Sequence, residues 1–405
     1  MNILMLSVDY PPVVGGIGTH VYHLSKFLAR KGCKVNLQIG RVNDELLEQQ
    51  VDPNVIPNNI SISEYIYSFR KEFELLYQGM LPENERMFEE LDSLGFFNAD
   101  RQYLQDVVHY LQKTNVKFDL IHAHDNFFPY TATVLKKVLS IPLVTTLHFN
   151  ESYTAPLNAS KLYLMKNSDK LICVSNDVKQ YAELHEPKEK LVTIYNGIEF
   201  TDQQIPKKRK YKNLVYCGRI LEKKGIFILL QAFAKVKKMS RKHEGLKLTI
   251  VGKGEDLDAA KKLSKNLEID NSVIFAGYVP NEFVDTYYRE ADLAIVPSFF
   301  EPFGIVACEA MREKTCVIAS NVGGLKEIIS DGVNGYLVEP QDVDLLAEKI
   351  DSLLNNDELR NETAERAYKL LYERFGWDAI ASDTLKLYDE LLSNFYGGTN
   401  SEICN

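Results

Sequence analysis

The stretch from Ser298 to Ala310, which reads SFFEPFGIVACEA, decides how the surrounding chain folds. It follows an apolar run, Asp292 to Val296 (DLAIV), that is typical of a buried strand. Two prolines flank SFFE and predict a loop, because proline fits neither a sheet ladder nor a helix interior. From Gly304 onward the apolar spacing predicts a helix. The sequence therefore predicts a strand, a loop that carries Glu301, and a helix that carries Glu309.

The two glutamates lie on either side of the start of this predicted helix. A helix that begins just after a strand presents free backbone N–H groups and a positive dipole end, which together favour a phosphate. Glu301 and Glu309 can accept hydrogen bonds from hydroxyl groups on either side of that phosphate. The alternative is a pair of solvated carboxylates, but Glu309 lies among apolar residues, where an unpartnered charge is costly. The spacing favours a ligand with a sugar on one side of the phosphate and a ribose on the other.

With these residues the sequence resembles the GT-B glycosyltransferases, in particular the retaining family of glycogen synthases, sucrose synthases and bacterial mannosyl- and glucosyltransferases. That family carries an E-x7-E motif, which stands here as Glu301 to Glu309. The resemblance implies an α/β fold with two doubly wound Rossmann-like domains that face across a cleft. It also implies a C-terminal helix that crosses back to the first domain.

The length of the chain also indicates two domains, because 405 residues exceed one ordinary hydrophobic core. We predict an acceptor-side Rossmann-like domain over residues 1–196, with an acidic insertion at 44–106. A nucleotide-sugar-binding Rossmann-like domain is expected over 197–375, followed by a crossover helix over 376–396.

Composition excludes several classes of protein. No apolar run reaches membrane-spanning length, and the first residues, MNILMLSVDYPP, lack a cationic lead, so we expect a cytoplasmic protein without a strong membrane signal. The six cysteines form no C-x-x-C pair, so buried free thiols are expected rather than disulfides or a metal site. Nucleic acid is not expected as a partner, because the only basic cluster is Lys207 to Lys210.

The N-terminal region reads as a βαβ unit. Asn2 to Val8 predicts a strand, Thr19 to Lys31 a helix, and Lys34 to Ile39 the next strand. Gly15 and Gly16, in the intervening loop, let the backbone approach a ligand closely.

A dinucleotide fingerprint around Gly18 is the alternative for this loop, but a proline-containing segment separates the glycines from the strand. The resemblance instead implies that the loop contacts the donor phosphates and the acceptor. Gly15, Gly16 and His20 are then acceptor-binding residues, with Gly16 also beside the donor.

A histidine-rich strand end follows the acidic segment. His122, His124 and Asp125 end one predicted strand, and His148 ends the next. Zinc is one alternative for these side chains, although ligands at metal spacing are missing from the neighbouring sequence. The resemblance implies that His124 lines the transferred sugar, that Asp125 and His148 bind the acceptor, and that His122 is a packed supporting residue.

The second domain begins with the motif GR-x4-KG, which contains Arg219 and Lys224. Two cations at a strand-to-helix turn suit a diphosphate leaving group, while solvated loop charges are the alternative. The motif is not a Walker loop, because the G-x4-GK[ST] order is absent. The resemblance assigns further donor contacts to Gly252, Tyr278, Val279, Phe303, Gly304, Ile305 and Val306.

The resemblance implies a nucleotide-sugar-dependent, anomer-retaining transferase that uses no cofactor and no metal. Catalysis is assigned to His124, Arg219, Lys224 and Glu301. The D-x-D sequences at Asp256 and Asp342 lie at predicted helix starts and are interpreted as capping or solvated acids. We expect a hexosyl or N-acetylhexosaminyl donor with UDP favoured over GDP and ADP.

Other activities are weighed against this one. Glucan synthesis of the glycogen type is an alternative, although Val13 and Val14 stand where glycogen synthases carry a lysine. A lipid- or polysaccharide-directed transferase, an epimerase, a phosphorylase and a non-catalytic nucleotide-sugar-binding subunit are the others. The two motifs argue against the last three.

The charge distribution of the chain indicates which class of acceptor is expected. The chain carries a formal charge of −9, and the segment Asp44 to Asp106 alone has 14 Asp and Glu against 4 Lys and Arg. An acidic wall favours a neutral or cationic saccharide or an aminocyclitol as acceptor, whereas a solvated acidic face is the alternative. The apolar faces of the segment would come from Tyr65, Tyr67, Phe69, Phe73, Tyr77, Phe88, Phe96 and Phe97.

Overall fold

The computed structural model describes residues 1–7, 16–39, 56–57, 96–124, 129–148, 159–200, 212–239 and 245–397. Gly15, Asp125, the linker at 201–211 and most of the acidic segment lie outside these ranges. The chain divides into two compact units. The first unit comprises Met1–Val174, Val178–Gly197 and Trp377–Asn405, and the second comprises Ser175–Asp177 and Ile198–Gly376.

The first unit contains a parallel sheet with strand order β3-β2-β1-β4-β5-β6-β7. Its strands are β1 (Asn2–Ser7), β2 (Lys34–Ile39), β3 (Ile56–Pro57), β4 (Leu120–His124), β5 (Leu143–Leu147), β6 (Lys170–Cys173) and β7 (Leu191–Thr193). Every residue of β4 and β5 is buried, as expected for parallel strands that are covered on both faces.

The second unit contains a parallel sheet with order β10-β9-β8-β11-β12-β13. Its strands are β8 (Asn213–Cys217), β9 (Lys247–Val251), β10 (Val273–Gly277), β11 (Leu293–Val296), β12 (Cys316–Ser320) and β13 (Tyr336–Val338). The predicted α/β class with two doubly wound, Rossmann-like domains is therefore confirmed.

The helices cover the two sheets. In chain order they are α1 (Gly16–Arg30), α2 (Phe96–Lys113), α3 (Pro129–Leu139), α4 (Ala159–Asn167), α5 (Asn176–Ala182), α6 (Ile226–Met239), α7 (Leu257–Asn266), α8 (Asn281–Glu290), α9 (Ile305–Arg312), α10 (Leu325–Ile328), α11 (Val343–Leu354), α12 (Asp357–Phe375) and α13 (Trp377–Gly397). None of these helices is long and apolar enough to cross a membrane.

Helix α1 begins at Gly16, before the predicted Thr19, because Ile17 is already part of the apolar core. The C-terminal helix spans Trp377–Gly397, within one residue of the predicted 376–396 at each end.

The last helix belongs to the first unit, as predicted for the crossover helix. Its Trp377 is 3% exposed and packs so closely on Gly197 that a Cβ atom there would lie 2.3 Å from Trp377 Cδ2. A side chain at position 197 would displace the indole ring. The five cysteines in the described ranges carry free thiols, as expected, and four of them are buried.

In each sheet the strand order reverses direction at one point. In the first unit this switch point lies between β1 and β4, and in the second it lies between β8 and β11. Ligands of doubly wound sheets bind outside the carboxyl ends of the strands at such a point. A ligand site is therefore expected in the segments that follow these four strands.

Candidate active site

The loops after β8 and β11 are in direct contact at the switch point of the second unit. The backbone N–H of Phe299 donates to the carbonyl of Lys223 at 2.9 Å. Gly225 has a φ of +76°, and a Cβ atom there would lie 1.9 Å from the carbonyl oxygen of Pro297. Glycine is therefore required at the end of GR-x4-KG both for its backbone conformation and for this close approach.

Two of the predicted catalytic residues meet at this point. Lys224 Nζ donates a hydrogen bond to Glu301 Oε2 at 2.7 Å, and Ser298 Oγ donates to the same oxygen at 3.3 Å. The Lys224 and Glu301 side chains are 21% and 13% exposed, so both can still contact a ligand. The Arg219 side chain is exposed, and its backbone carbonyl accepts a hydrogen bond from Tyr216 at 2.7 Å.

Helix α9 begins directly beyond this pair, as the sequence predicts. Gly304 precedes it with a φ of +111°, and a Cβ atom there would lie 2.6 Å from Leu325 Cδ2. The backbone N–H groups of Ile305 and Val306 make no hydrogen bond within the described chain, whereas those of the next two residues bond to the Gly304 carbonyl. Two donors at the positive end of the helix thus remain for an anion.

Phe303 does not reach the donor site through its side chain. Its ring is 3% exposed and packs against the ring of Phe375, with 5.8 Å between centroids. Only the backbone of Phe303 can therefore serve the donor site to which the sequence assigned it.

Glu309 lies in the second turn of α9, where its half-buried carboxylate accepts a hydrogen bond from Tyr288 OH at 3.1 Å. Burial raises the pKa of Glu309 to about 7, while the nearby Arg312 and the Tyr288 hydroxyl oppose the increase. Arg312 is itself paired with Asp285 and with Glu313. Burial therefore leaves Glu309 close to balance between its neutral and charged forms at neutral pH.

The ends of β9 and β10 supply the other predicted donor contacts. The N–H of Gly252 donates to the carbonyl of Gly277 at 2.7 Å, and a Cβ atom on Gly252 would lie 1.9 Å from the Gly218 carbonyl oxygen. The next residues are Tyr278, which is 44% exposed with Lys253 Nζ 5.5 Å from its ring centroid, and the half-buried Val279. These turns lie at the same sheet edge as Lys224.

The D-x-D acids are predicted to be capping or solvated, and of the two that begin these sequences one caps a helix and the other does not. Asp342 caps α11 by accepting a hydrogen bond from the Leu345 N–H at 2.9 Å. Asp256 makes no capping bond to α7, because its carboxylate accepts the Glu222 N–H at 2.7 Å. This carboxylate instead holds the turn that carries Lys224.

The first unit brings three predicted site histidines together near its own switch point. His20 comes from α1, His124 from the end of β4 and His148 from the residue after β5. His124 Nδ1 lies 3.3 Å from His148 Nε2, and the His20 ring centroid lies 5.3 Å and 4.8 Å from those of His124 and His148. Gly16, at the start of α1, is exposed and has open space where a side chain would be.

His122 is a supporting residue, as predicted. Its Nε2 is paired with Thr146 Oγ1 at 2.7 Å, its Nδ1 with Tyr388 OH at 2.5 Å, and its ring lies 4.2 Å from that of His124. Burial lowers the pKa of His20 and of His122 to about 3. It also lowers the pKa of His124 and of His148 well below the ordinary range, so all four imidazoles are neutral at pH 7.

Several contacts at these sites were missing from the sequence analysis. Tyr288 lies within an amphipathic helix that shows no sign of a role, and Tyr388 lies far along the chain from His122. The glycine pair at positions 323 and 324 did carry a signal, because glycine pairs often mark a close backbone approach. Gly324 N donates to the Glu301 carbonyl at 2.9 Å, which fixes the backbone of that glutamate.

Two doubly wound domains, of which the second presents a helix N-terminus and the Lys224–Glu301 pair at its switch point, are the arrangement expected of the GT-B class of glycosyltransferases. A family model described as glycosyl transferases group 1 matches residues 197–370, and one described as glycosyltransferase family 4 matches residues 14–202. The chain belongs to this glycosyltransferase family, whose members use nucleotide sugars.

Individual relatives agree with this membership. A protein of Methanocaldococcus jannaschii described as an uncharacterized glycosyltransferase is 30% identical, over 96% of this chain and 98% of its own length. The glycogen synthase of Mycobacterium tuberculosis is 29% identical, over 96% of this chain and 94% of its own length. The structure of sucrose-phosphate synthase from Thermosynechococcus elongatus matches the fold with a TM-score of 0.77 at 22% identity, covering 97% of this chain and all of that one.

Proposed function

We propose that this glycosyltransferase retains anomeric configuration and transfers a hexosyl or N-acetylhexosaminyl group from a UDP-sugar to a hydroxyl acceptor. The observation that carries the proposal is the Lys224–Glu301 pair, at 2.7 Å, together with the free N–H groups at the start of α9. A cation and a helix N-terminus suit a diphosphate, and the carboxylate suits a sugar hydroxyl.

In this mechanism the bond between the anomeric carbon and the diphosphate oxygen breaks first. Arg219, Lys224 and the start of α9 stabilise the negative charge that develops on the departing diphosphate, so no divalent metal is required. The acceptor oxygen then bonds to the anomeric carbon on the face that the diphosphate leaves. The proton of the acceptor hydroxyl passes to an oxygen of the departing diphosphate, which acts as the base.

The remaining residues bind and orient the two substrates. Glu301 accepts hydrogen bonds from hydroxyls of the transferred sugar, and Glu309 accepts them from the ribose. His124 positions the sugar and does not act as the base, because a neutral imidazole with a pKa well below its ordinary range is a weak proton acceptor. Donor contacts also come from Gly16, Gly252, Tyr278, Val279, Phe303, Gly304, Ile305 and Val306.

The acceptor is assigned to the first unit. His20 and His148, with Gly15, Gly16 and Asp125, would supply its hydrogen bonds. The acidic segment at 44–106 favours a small neutral or cationic saccharide or an aminocyclitol over an anionic acceptor.

The proposal is tested by incubating the protein with several labelled nucleotide sugars and an array of hydroxyl acceptors in the presence of a chelator. We expect turnover with a UDP-sugar and a product whose anomeric configuration, read by NMR, equals that of the donor. Inverted product would overturn retention, and activity lost on chelation would overturn metal independence. Binding of nucleotide sugar without transfer or donor hydrolysis would indicate a non-catalytic subunit.

Glucan synthesis is a second candidate, supported by the 29% identity with the glycogen synthase of Mycobacterium tuberculosis. Val13 and Val14 in place of the expected lysine argue against it. Including a glucan primer in the acceptor array separates the two candidates, because only a glucan synthase would elongate the primer.

A further inference from the structure

The three histidines of the first unit form an unusual buried cluster. His20, His124 and His148 are only 6%, 3% and 7% exposed, yet each places a ring nitrogen close to a ring nitrogen of the other two. The nitrogens involved all lie within 4.8 Å of one another. No ordinary core packing requires three imidazoles to converge in this way.

Part of the hydrogen-bonding capacity of the cluster is unused. Within the described part of the chain, no hydrogen bond of good geometry reaches either ring nitrogen of His20 or His124 Nε2, although the Asn196 side chain interacts with His20 and opposes the effect of burial on its pKa. A buried polar atom without a partner costs on the order of 1–3 kcal/mol. A metal ion that accepts a lone pair from a ring nitrogen of His20 would recover part of that cost.

We propose that His20, His124 and His148 bind one divalent transition-metal ion of the zinc type, and that the bound ion inhibits glycosyl transfer. Three imidazoles leave a fourth, open position on a tetrahedral ion. The bound metal would hold His124 and withdraw it from the sugar. Inhibition, unlike metal binding, therefore rests on the proposed function.

The distances fit such an ion. Zinc–nitrogen bonds of about 2.0–2.1 Å in a tetrahedron place two ligand nitrogens about 3.3 Å apart. His124 Nδ1 and His148 Nε2 are separated by 3.3 Å and share a hydrogen bond, which a bound ion would replace once the proton between them moves to the other nitrogen of its ring. The His20 ligand nitrogen lies within 4.8 Å of the other two, so it has to move closer by at most roughly 1.5 Å, and its interaction with the Asn196 side chain gives way.

The surrounding residues define which ion and which histidines take part. His122 is excluded as a ligand, because Thr146 and Tyr388 occupy both of its nitrogens. Hard cations such as Mg²⁺ prefer oxygen ligands, whereas neutral imidazole suits zinc, copper, nickel and cobalt. The positive charge of Lys161 acts on His148 and weakens binding of any cation. We therefore expect a reversible regulatory or inhibitory site rather than a permanent structural one.

The binding test uses the full chain, stripped of metal with a chelator, and Co²⁺ as a spectroscopic substitute for Zn²⁺. We expect one equivalent of Co²⁺ to give the strong visible absorption of a tetrahedral site and Zn²⁺ to displace it. His20→Gln and His148→Gln should each weaken Zn²⁺ binding at least 10-fold. His185→Gln, which changes an exposed histidine of the same unit, is the matched control and should bind as the wild type does.

An absent tetrahedral spectrum, or equal Zn²⁺ affinity in His20→Gln and His185→Gln, would overturn the metal site. Inhibition is measured separately, as loss of transfer or donor hydrolysis on titration with Zn²⁺ and recovery on chelation. Stoichiometric binding without any loss of turnover would overturn the inhibitory role. Because the spectrum does not depend on turnover, failure of the proposed function leaves the binding result interpretable.

Discussion

Lys224 Nζ and Glu301 Oε2 are joined by a 2.7 Å hydrogen bond that links the turn after β8 to the loop after β11. The pair lies at the switch point of the second sheet, and neither side chain is fully buried. The Glu301 carboxylate holds the Lys224 side chain in place, and both side chains remain partly exposed to a ligand. This arrangement is expected of a site that binds a diphosphate and a sugar hydroxyl side by side.

The two glutamates of the E-x7-E motif should affect different parts of the donor. Glu309→Ala should weaken binding of free UDP roughly 10-fold or more, because it removes the carboxylate that we propose binds the ribose. Glu301→Ala should spare UDP and weaken the intact UDP-sugar. Calorimetric titration with both ligands measures the difference, and Glu290→Ala, at an exposed position, is the control. Equal losses for both ligands in the two variants would refute this division of roles.

The raised pKa of Glu309 predicts a pH-dependent stability. Its value is about 7 in the folded protein against an ordinary value of 4.5, so ionisation is disfavoured by folding. Its contribution to stability is fully present below pH 4.5 and is lost as the pH rises through 7. Glu309→Gln stays neutral and keeps an acceptor for Tyr288. Its free energy of unfolding relative to wild type should therefore rise between pH 5 and pH 8, by at most roughly 3 kcal/mol. A difference that is independent of pH would contradict the assignment.

The close approach at Gly225 predicts a large effect from one methyl group. Gly225→Ala places a Cβ atom 1.9 Å from the Pro297 carbonyl oxygen and should both destabilise the protein and reduce turnover by displacing Lys224. Gly332→Ala is the matched control, because Gly332 has a similar φ of +73° but open space around its Cβ position. The control should lose about 1 kcal/mol. Equal losses in thermal denaturation would show that backbone strain alone matters.

Much of the second domain could be predicted from local sequence. The strand before SFFEPFGIVACEA, the loop around Glu301 and a helix that begins after Gly304 all follow from apolar spacing and from proline and glycine. These signals act over a few residues, so one sequence is enough to detect them. The parallel order of the strands follows from the alternation of strands and helices.

The remaining contacts depend on distant parts of the chain. Tyr388 reaches His122 from 266 residues away, and Tyr288 reaches Glu309 across two helices. The meeting of His20 with His124 and His148 depends on how α1 packs on the sheet. No local pattern encodes such pairings. Asp256 is a further example of a contact that local sequence does not predict. Its position at the start of a helix suggested a capping or solvated role, but its carboxylate accepts the Glu222 N–H instead.

The negative charge of the acidic segment at 44–106, most of which lies outside the described residues, predicts an electrostatic effect on acceptor binding. Reversing Glu83, Glu85, Glu89 and Glu90 to Lys should raise the KM of a cationic acceptor and leave the KM of the donor unchanged. The effect should shrink in high salt, because exposed charges are screened. If neither the charge reversals nor the salt concentration changes the KM of the acceptor, the segment is a solvated surface with no role in acceptor binding. Binding of the native protein to anionic vesicles would contradict the electrostatic account.

Arg219 and Lys224 are proposed to stabilise the departing diphosphate, and kcat in single alanine variants tests this role most directly. Arg219→Ala and Lys224→Ala should each lower kcat about 100-fold or more while the thermal unfolding curve still shows a folded protein. Lys223→Ala, which removes an exposed neighbouring charge, should keep the wild-type kcat. Near-normal kcat in both Arg219→Ala and Lys224→Ala would contradict the account.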